Sequence, residues 1–173
     1  MLAWRSLIPV VVLSSLLLAA CGDEPVIAEK FEMKQRLEGD RLYLSLDTDL
    51  PDFPDIWVTV HRDFWQVGRF RNYSINYFKE KSTVDKWRDE REIVVDNDVW
   101  KKSLKANQKK MKRNLSPYVI ERISGEIIIT MVITANQTDP RMGERNSNLE
   151  GKAVIKGAFP IITREVKIPF PVE

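Results

Sequence analysis

Ile127-Ile128-Ile129-Thr130-Met131-Val132-Ile133 is the run on which the fold turns, because Thr130 is its only polar member. A strand apolar on both sides belongs at the centre of a covered sheet. Working outward, 151–159 and 161–170 read as two more strands. The second of these places Ile162, Val166 and Ile168 on one face.

Toward the N-terminus the pattern is alternation. Phe31, Met33 and Leu37 alternate with Glu32, Lys34 and Arg36, and Leu42, Leu44 and Leu46 alternate with Tyr43, Ser45 and Asp47. Glu38-Gly39-Asp40 lies between them as a turn, which makes the pair a hairpin. Ile56, Val58 and Val60 form a third alternating strand and Tyr73, Ile75 and Tyr77 a fourth, with Ile93-Val94-Val95 a short fifth run. Phe64-Trp65 falls between the third and fourth strands, in a loop beside Arg62, Arg69 and Arg71. An exposed aromatic–arginine group of this kind would be a partner hot spot; as a packing feature it would cap the core.

One segment breaks the strand pattern. Asp96, Asn97 and Asp98 offer helix caps, and Trp100, Leu104, Met111 and Leu115 follow at helical spacing, with Asn114 and Pro117 as stops. The expected fold is therefore mainly β, an antiparallel, immunoglobulin-like β-sandwich with one amphipathic helix inserted at about 97–115. An α+β sheet or a small barrel is the alternative.

The chain has 173 residues, 43% hydrophobic and 30% charged. That suffices for one domain with a true core and is too short for two. A net charge of +2 gives no global footprint of a nucleic-acid binder. One Cys and one His exclude an intramolecular disulfide and a Cys/His zinc cluster.

The single Cys stands in a telling place. Arg5 precedes an apolar stretch at 7–18 that is too short to span a bilayer but suits a signal peptide, and the stretch ends in Leu18-Ala19-Ala20-Cys21. This resembles the bacterial lipoprotein signal: an aliphatic residue, two small residues, then Cys. The resemblance covers only the N-terminal eighth of the chain. It implies a signal peptide at 1–20, diacylglyceryl transfer to the Cys21 thiol, cleavage before Cys21, and an acylated membrane anchor. Residues 21–29 then form the lipidated Cys and a tether, and 30–173 a single β-rich domain. Gly22 follows the Cys and Asp23 comes one position later, so the sorting signal chooses neither inner nor outer membrane; the expected location is membrane-anchored and periplasm-facing.

The most pointed candidate site is the basic helix. Lys101, Lys102, Lys105, Lys109, Lys110, Lys112 and Arg113 flank the apolar stripe, with no acid between Val99 and Ile120. Such a face could meet anionic lipid headgroups, a polyanionic envelope polymer or an acidic partner; otherwise it is a solvated face with cations suited to the helix end. Asp47, Asp49, Asp52 and Asp55 could offer carboxylates to Ca²⁺, but their spacing fits no EF-hand loop, and Pro51 and Pro54 favour a plain turn. The polar segment 135–151 is a binding loop or a disordered one.

For chemistry the sequence holds little. It lacks a Gly-x-Ser-x-Gly elbow, a His-Glu-x-x-His pair and a Gly-rich phosphate loop, so no cofactor is expected. His61 could serve a Ser-His-Asp site only with partners that the sequence does not name. The reading is a lipid-anchored, non-catalytic binding or accessory module of the bacterial envelope. A small envelope hydrolase using paired carboxylates is the alternative, and a pocket with converging acids would distinguish it.

Overall fold

The computed structural model describes residues 24–112 and 119–171, without the side chains of 110–112. The segment 1–20 expected to be a signal, Cys21, Arg113 and Leu115, and the side chains of Lys110, Met111 and Lys112, lie outside the described residues.

The protein is mainly β and its two larger sheets are antiparallel. One sheet orders β2 (Phe31–Glu38), β3 (Arg41–Thr48) and β6 (Arg91–Val94). The other orders β10 (Ile162–Pro169), β8 (Glu126–Ile133), β4 (Asp55–Gln66) and β5 (Asn72–Thr83), with β7 (Ile120–Ile123) also paired to β4. A third, two-stranded parallel clip joins β1 (Val26–Ile27) to β9 (Leu149–Glu150), and α1 spans Asn97–Lys112.

The alternation explains the layers. Leu42, Leu44 and Leu46 of β3 bury the same face as they alternate, as do Ile56, Val58 and Val60 of β4. They meet Ile127, Ile129, Met131 and Ile133 of β8 in one apolar cluster, so the two sheets share a core. β8 does sit between two neighbours, β10 and β4. Its other face is covered less completely, with Ile128 buried but Thr130 and Val132 half-buried. The β2–β3 hairpin turns at Gly39, whose φ of 61° is the left-handed conformation that favours glycine. The sheets remain separate ladders and do not close into a barrel.

Several expectations need correction. The third strand does not stop near His61: it continues to Gln66, so Phe64 and Trp65 are strand residues rather than loop residues. Arg62, Phe64 and Gln66 keep the inward parity past a bulge at Val60/His61, but an inward arginine disguises the pattern. Segment 151–159 is no strand. It turns at Gly151 (φ 118°) and keeps only an isolated bridge, Ile155 to Ile161. Nor are residues 26–29 the free tether that the sequence suggests. Val26 and Ala28 are buried, and Val26 N–H and Ala28 N–H donate to the carbonyls of Asn148 and Glu150, both at 2.7 Å. Their apolar side chains have core to join, so the chain docks at Val26.

Candidate functional site

The helix starts where the sequence places its cap. The Asp96 carboxylate accepts from the N–H groups of Asp98 (2.7 Å) and Val99 (3.2 Å), satisfying two amides that the helix leaves open. Trp100 and Leu104 are buried in a small cluster with Phe64 and Ile75, and Tyr73, Tyr77, Ile120 and Ile123 pack against it. Trp100 Nε1–H donates to the Ile75 carbonyl at 3.0 Å. Ile75 lies on β5, which ends its sheet, so this indole takes up one carbonyl of an edge strand. Lys102, Lys105 and Lys109 are exposed on the helix and Lys101 is half-buried.

The orientation of α1 follows from two contacts. The Tyr77 hydroxyl donates to Asn97 Oδ1 at 2.9 Å near the helix start, and Trp100 meets Ile75 one turn later. The helix therefore runs beside β5 toward the β4–β5 hairpin. The N-terminus is at the other end of the sheets, where β1 meets β9 and where Gln137 Nε2 donates to the Asp55 carbonyl at the start of β4. β4 has 12 residues, so its ends lie roughly 35 Å apart at about 3.3 Å per step.

At the junction of sheet and helix sits Arg62, fully buried. Its Nη2 donates to the Phe170 carbonyl at 2.6 Å, and its guanidinium carbon lies 5.1 Å from the Phe170 ring, 5.5 Å from Trp100 and 5.7 Å from Tyr77. Three ring faces stand in for a carboxylate. Nε and Nη1 have no hydrogen-bond partner among the described residues. Burial lowers the Arg62 pKa and pushes the Tyr77 phenol up to about 12, with the neighbouring guanidinium opposing the latter.

The four aspartates weighed as weak calcium-ligand candidates do not converge. Asp47 pairs with Lys30 and Lys34, both at 2.8 Å, and their hydrogen bonds hold its carboxyl down at about 2. Asp49 accepts from the Glu29 and Lys30 amides at 3.0 Å, and Asp52 pairs with Arg88 at 2.8 Å. Asp55 pairs with Lys81 and accepts from the Thr138 hydroxyl, both at 2.8 Å. Burial would raise the Asp55 carboxyl, but these partners outweigh it and hold it below its ordinary value. Among the described residues no group of three or more His, Cys, Asp or Glu side chains is placed to share a metal ion.

His61 does lie near an acid and a serine, but in the wrong order. Its Nε2 is 3.7 Å from Asp63 Oδ1, and the same oxygen accepts from Ser74 Oγ at 2.6 Å. The carboxylate stands between serine and imidazole, so the imidazole is not positioned to take the hydroxyl proton. An open cleft of about 580 Å³ lies where the β2–β3 turn, the start of α1 and the end of β10 meet. Asp40, Asp96, Asp98 and Lys101 line it, with Asp96 engaged in capping.

Segment 135–151 is anchored by one inward polar residue while Arg141, Glu144, Arg145 and Ser147 stay exposed. Buried Asn146 donates through Nδ2 to the Thr134 (2.8 Å) and Pro160 (2.9 Å) carbonyls, and Met142 joins the core. Sequence reasoning missed two features, buried Arg62 and fully exposed Phe70 at the β4–β5 hairpin. An arginine breaking a clean alternation was the available signal for the first. Among the described residues no helix is long and apolar enough to cross a membrane. No protein-family model matches the chain, and no curated protein or solved structure shows significant similarity to it.

Proposed function

We propose that this is a lipid-anchored, non-catalytic binding or accessory module of the bacterial envelope, facing the periplasm. It is held by acylated Cys21 and presents the cations of α1 to an anionic lipid or polymer surface. The carrying observation is the separation of the two ends. Cys21 is five residues before Val26, a reach of at most about 18 Å, whereas α1 runs to the far end of a strand roughly 35 Å long. Screening falls off over about 8 Å at physiological salt, so the helix of an upright domain acts on something other than the headgroups around its own anchor.

The strand order supports the finer reading of the fold as immunoglobulin-like. A first hairpin lies in one sheet, a second in the other, and β6, β8 and β10 return to β3, β4 and β8 in turn. A three-stranded layer facing a layer whose main path is β10-β8-β4-β5, with β7 added beside β4, and such cross-sheet connections are consistent with that family of sandwiches.

Two measurements test the proposal together. Cys21→Ser should abolish labelling by a fatty-acid probe and leave an uncleaved precursor. Replacing Lys102, Lys105 and Lys109 by Gln should leave the melting temperature within a few degrees of the parent while weakening salt-sensitive binding to anionic vesicles or polymer. Undiminished labelling sinks the anchor; equal, salt-insensitive binding sinks the basic helix.

A further inference from the structure

The β4–β5 hairpin carries a feature that α1 does not explain. Its connection reads Val67-Gly68-Arg69-Phe70-Arg71, and from Phe64 to Asn72 there is no acid. Gly68, at φ 72°, makes the turn, and Arg69 N–H closes it onto the Gln66 carbonyl at 3.1 Å. Phe70 is fully exposed, beside exposed Arg69 and Arg71. Val67 is 60% exposed, and its N–H donates to the carbonyl of Val119, itself 55% exposed.

The nearest acid in sequence cannot neutralise this tip. Asp63 is buried and accepts from the side chains of Asn72 and Ser74. β7, paired with the end of β4, adds a cation, Arg122, whose guanidinium lies 3.8 Å from the centre of the Trp65 ring, and one exposed acid, Glu121. Bare aromatic surface with flanking guanidiniums, on a turn projecting beyond the sheet, suits the boundary between acyl chains and anionic headgroups. There the ring enters the apolar layer and the cations stay with the phosphates. A soluble polyanion would use the arginines but leave Phe70 and Val67 in water.

We propose that the β4–β5 tip docks on a bilayer rich in anionic lipid, and that this bilayer is a second one, opposite the membrane that holds the acyl group. The choice of source rests on the proposed anchoring at Cys21 and on the length of β4 between the two ends. The protein would then bridge two lipid surfaces.

The test uses the mature acylated protein loaded into vesicles of neutral phosphatidylcholine, with phosphatidylglycerol-rich vesicles added and bridging read by energy transfer between labelled lipids. The parent should bridge the two populations. Phe70→Ser should weaken bridging about tenfold or more, the loss expected for keeping a phenyl ring in water. Arg69→Gln with Arg71→Gln should weaken it in a salt-dependent way. No bridging by loaded parent protein, or full bridging by Phe70→Ser, overturns the proposal. Equal sensitivity of soluble polyglutamate binding to Phe70→Ser overturns the lipid assignment in favour of an acidic partner. If the protein fails to load into the neutral vesicles, the anchoring reading has failed. Flotation of the same protein with phosphatidylglycerol vesicles still decides the tip by the same two variants.

Discussion

Trp100→Ala tests whether α1 belongs to the folded unit or merely rests on it. The indole is 1% exposed, stacks on Tyr77 at 6.2 Å, lies beside Arg62 and donates to the Ile75 carbonyl. Truncating a buried tryptophan costs about 3–5 kcal/mol through lost transfer energy and a residual cavity. The orphaned Ile75 carbonyl adds to this unless water reaches it, and Arg62 loses one of its three ring neighbours. For a domain of this size each kcal/mol moves the melting temperature by about 2–4 °C, so the expected drop is roughly 6–20 °C. Trp100→Phe keeps most of the ring and should cost only about 1–3 kcal/mol, the price of the unsatisfied carbonyl. Urea unfolding followed by near- and far-ultraviolet circular dichroism would check both variants. If Trp100→Ala costs less than about 1 kcal/mol, the helix is not part of the cooperative core, and the reasoning that docks it on β5 through Trp100 is wrong.

Two further outcomes follow from single residues. Gly151 has φ 118°, and a Cβ there would lie 2.4 Å from the Ala28 carbonyl oxygen, so Gly151→Ala should open the β1–β9 clip. Early proteolysis and fast amide exchange at 26–28 would show this, and parental protection there would refute it. His61 is the only histidine; burial lowers its pKa from 6.5, with Asp63 and Glu165 opposing. The unfolded chain therefore binds this proton more readily, and His61 contributes stability above about pH 6.5 that is lost as pH falls through its folded pKa. The urea midpoint should decline between pH 7.5 and 5.5, and His61→Gln should flatten that decline; an unchanged slope would count against this account.

The fold was most legible where one face is apolar. The parity of β3 and the first half of β4 could be read directly from Leu42, Leu44 and Leu46 and from Ile56, Val58 and Val60, because burial alone selects those residues. Reading failed where a polar residue serves an apolar position: Arg62 packs among three rings, so the second half of β4 reads as loop. It failed again at 151–159, where Val154 and Ile155 suggest a strand but local turn bonds hold the backbone. Asp47, Asp49, Asp52 and Asp55 cluster in sequence, yet each is turned to its own donor, a property of partners distant along the chain. Phe70 escaped notice because nothing in a sequence distinguishes an aromatic at a turn that packs from one that does not.

The β1–β9 clip has a mechanical meaning. A pull applied at the N-terminus enters the domain through Val26–Ala28, which backbone hydrogen bonds tie to residues 148–153. Just beyond, β2 meets β3 along eight residue pairs. The short clip yields first. Its release frees the chain only as far as Glu29, where the Asp49 carboxylate holds the Glu29 and Lys30 amides, so on the proposed anchoring at Cys21 the reach grows from about 18 Å to about 29 Å, while the β2–β3 ladder and the shared core stay intact. The molecule can thus lengthen under load in one discrete step before any of its main sheets is strained.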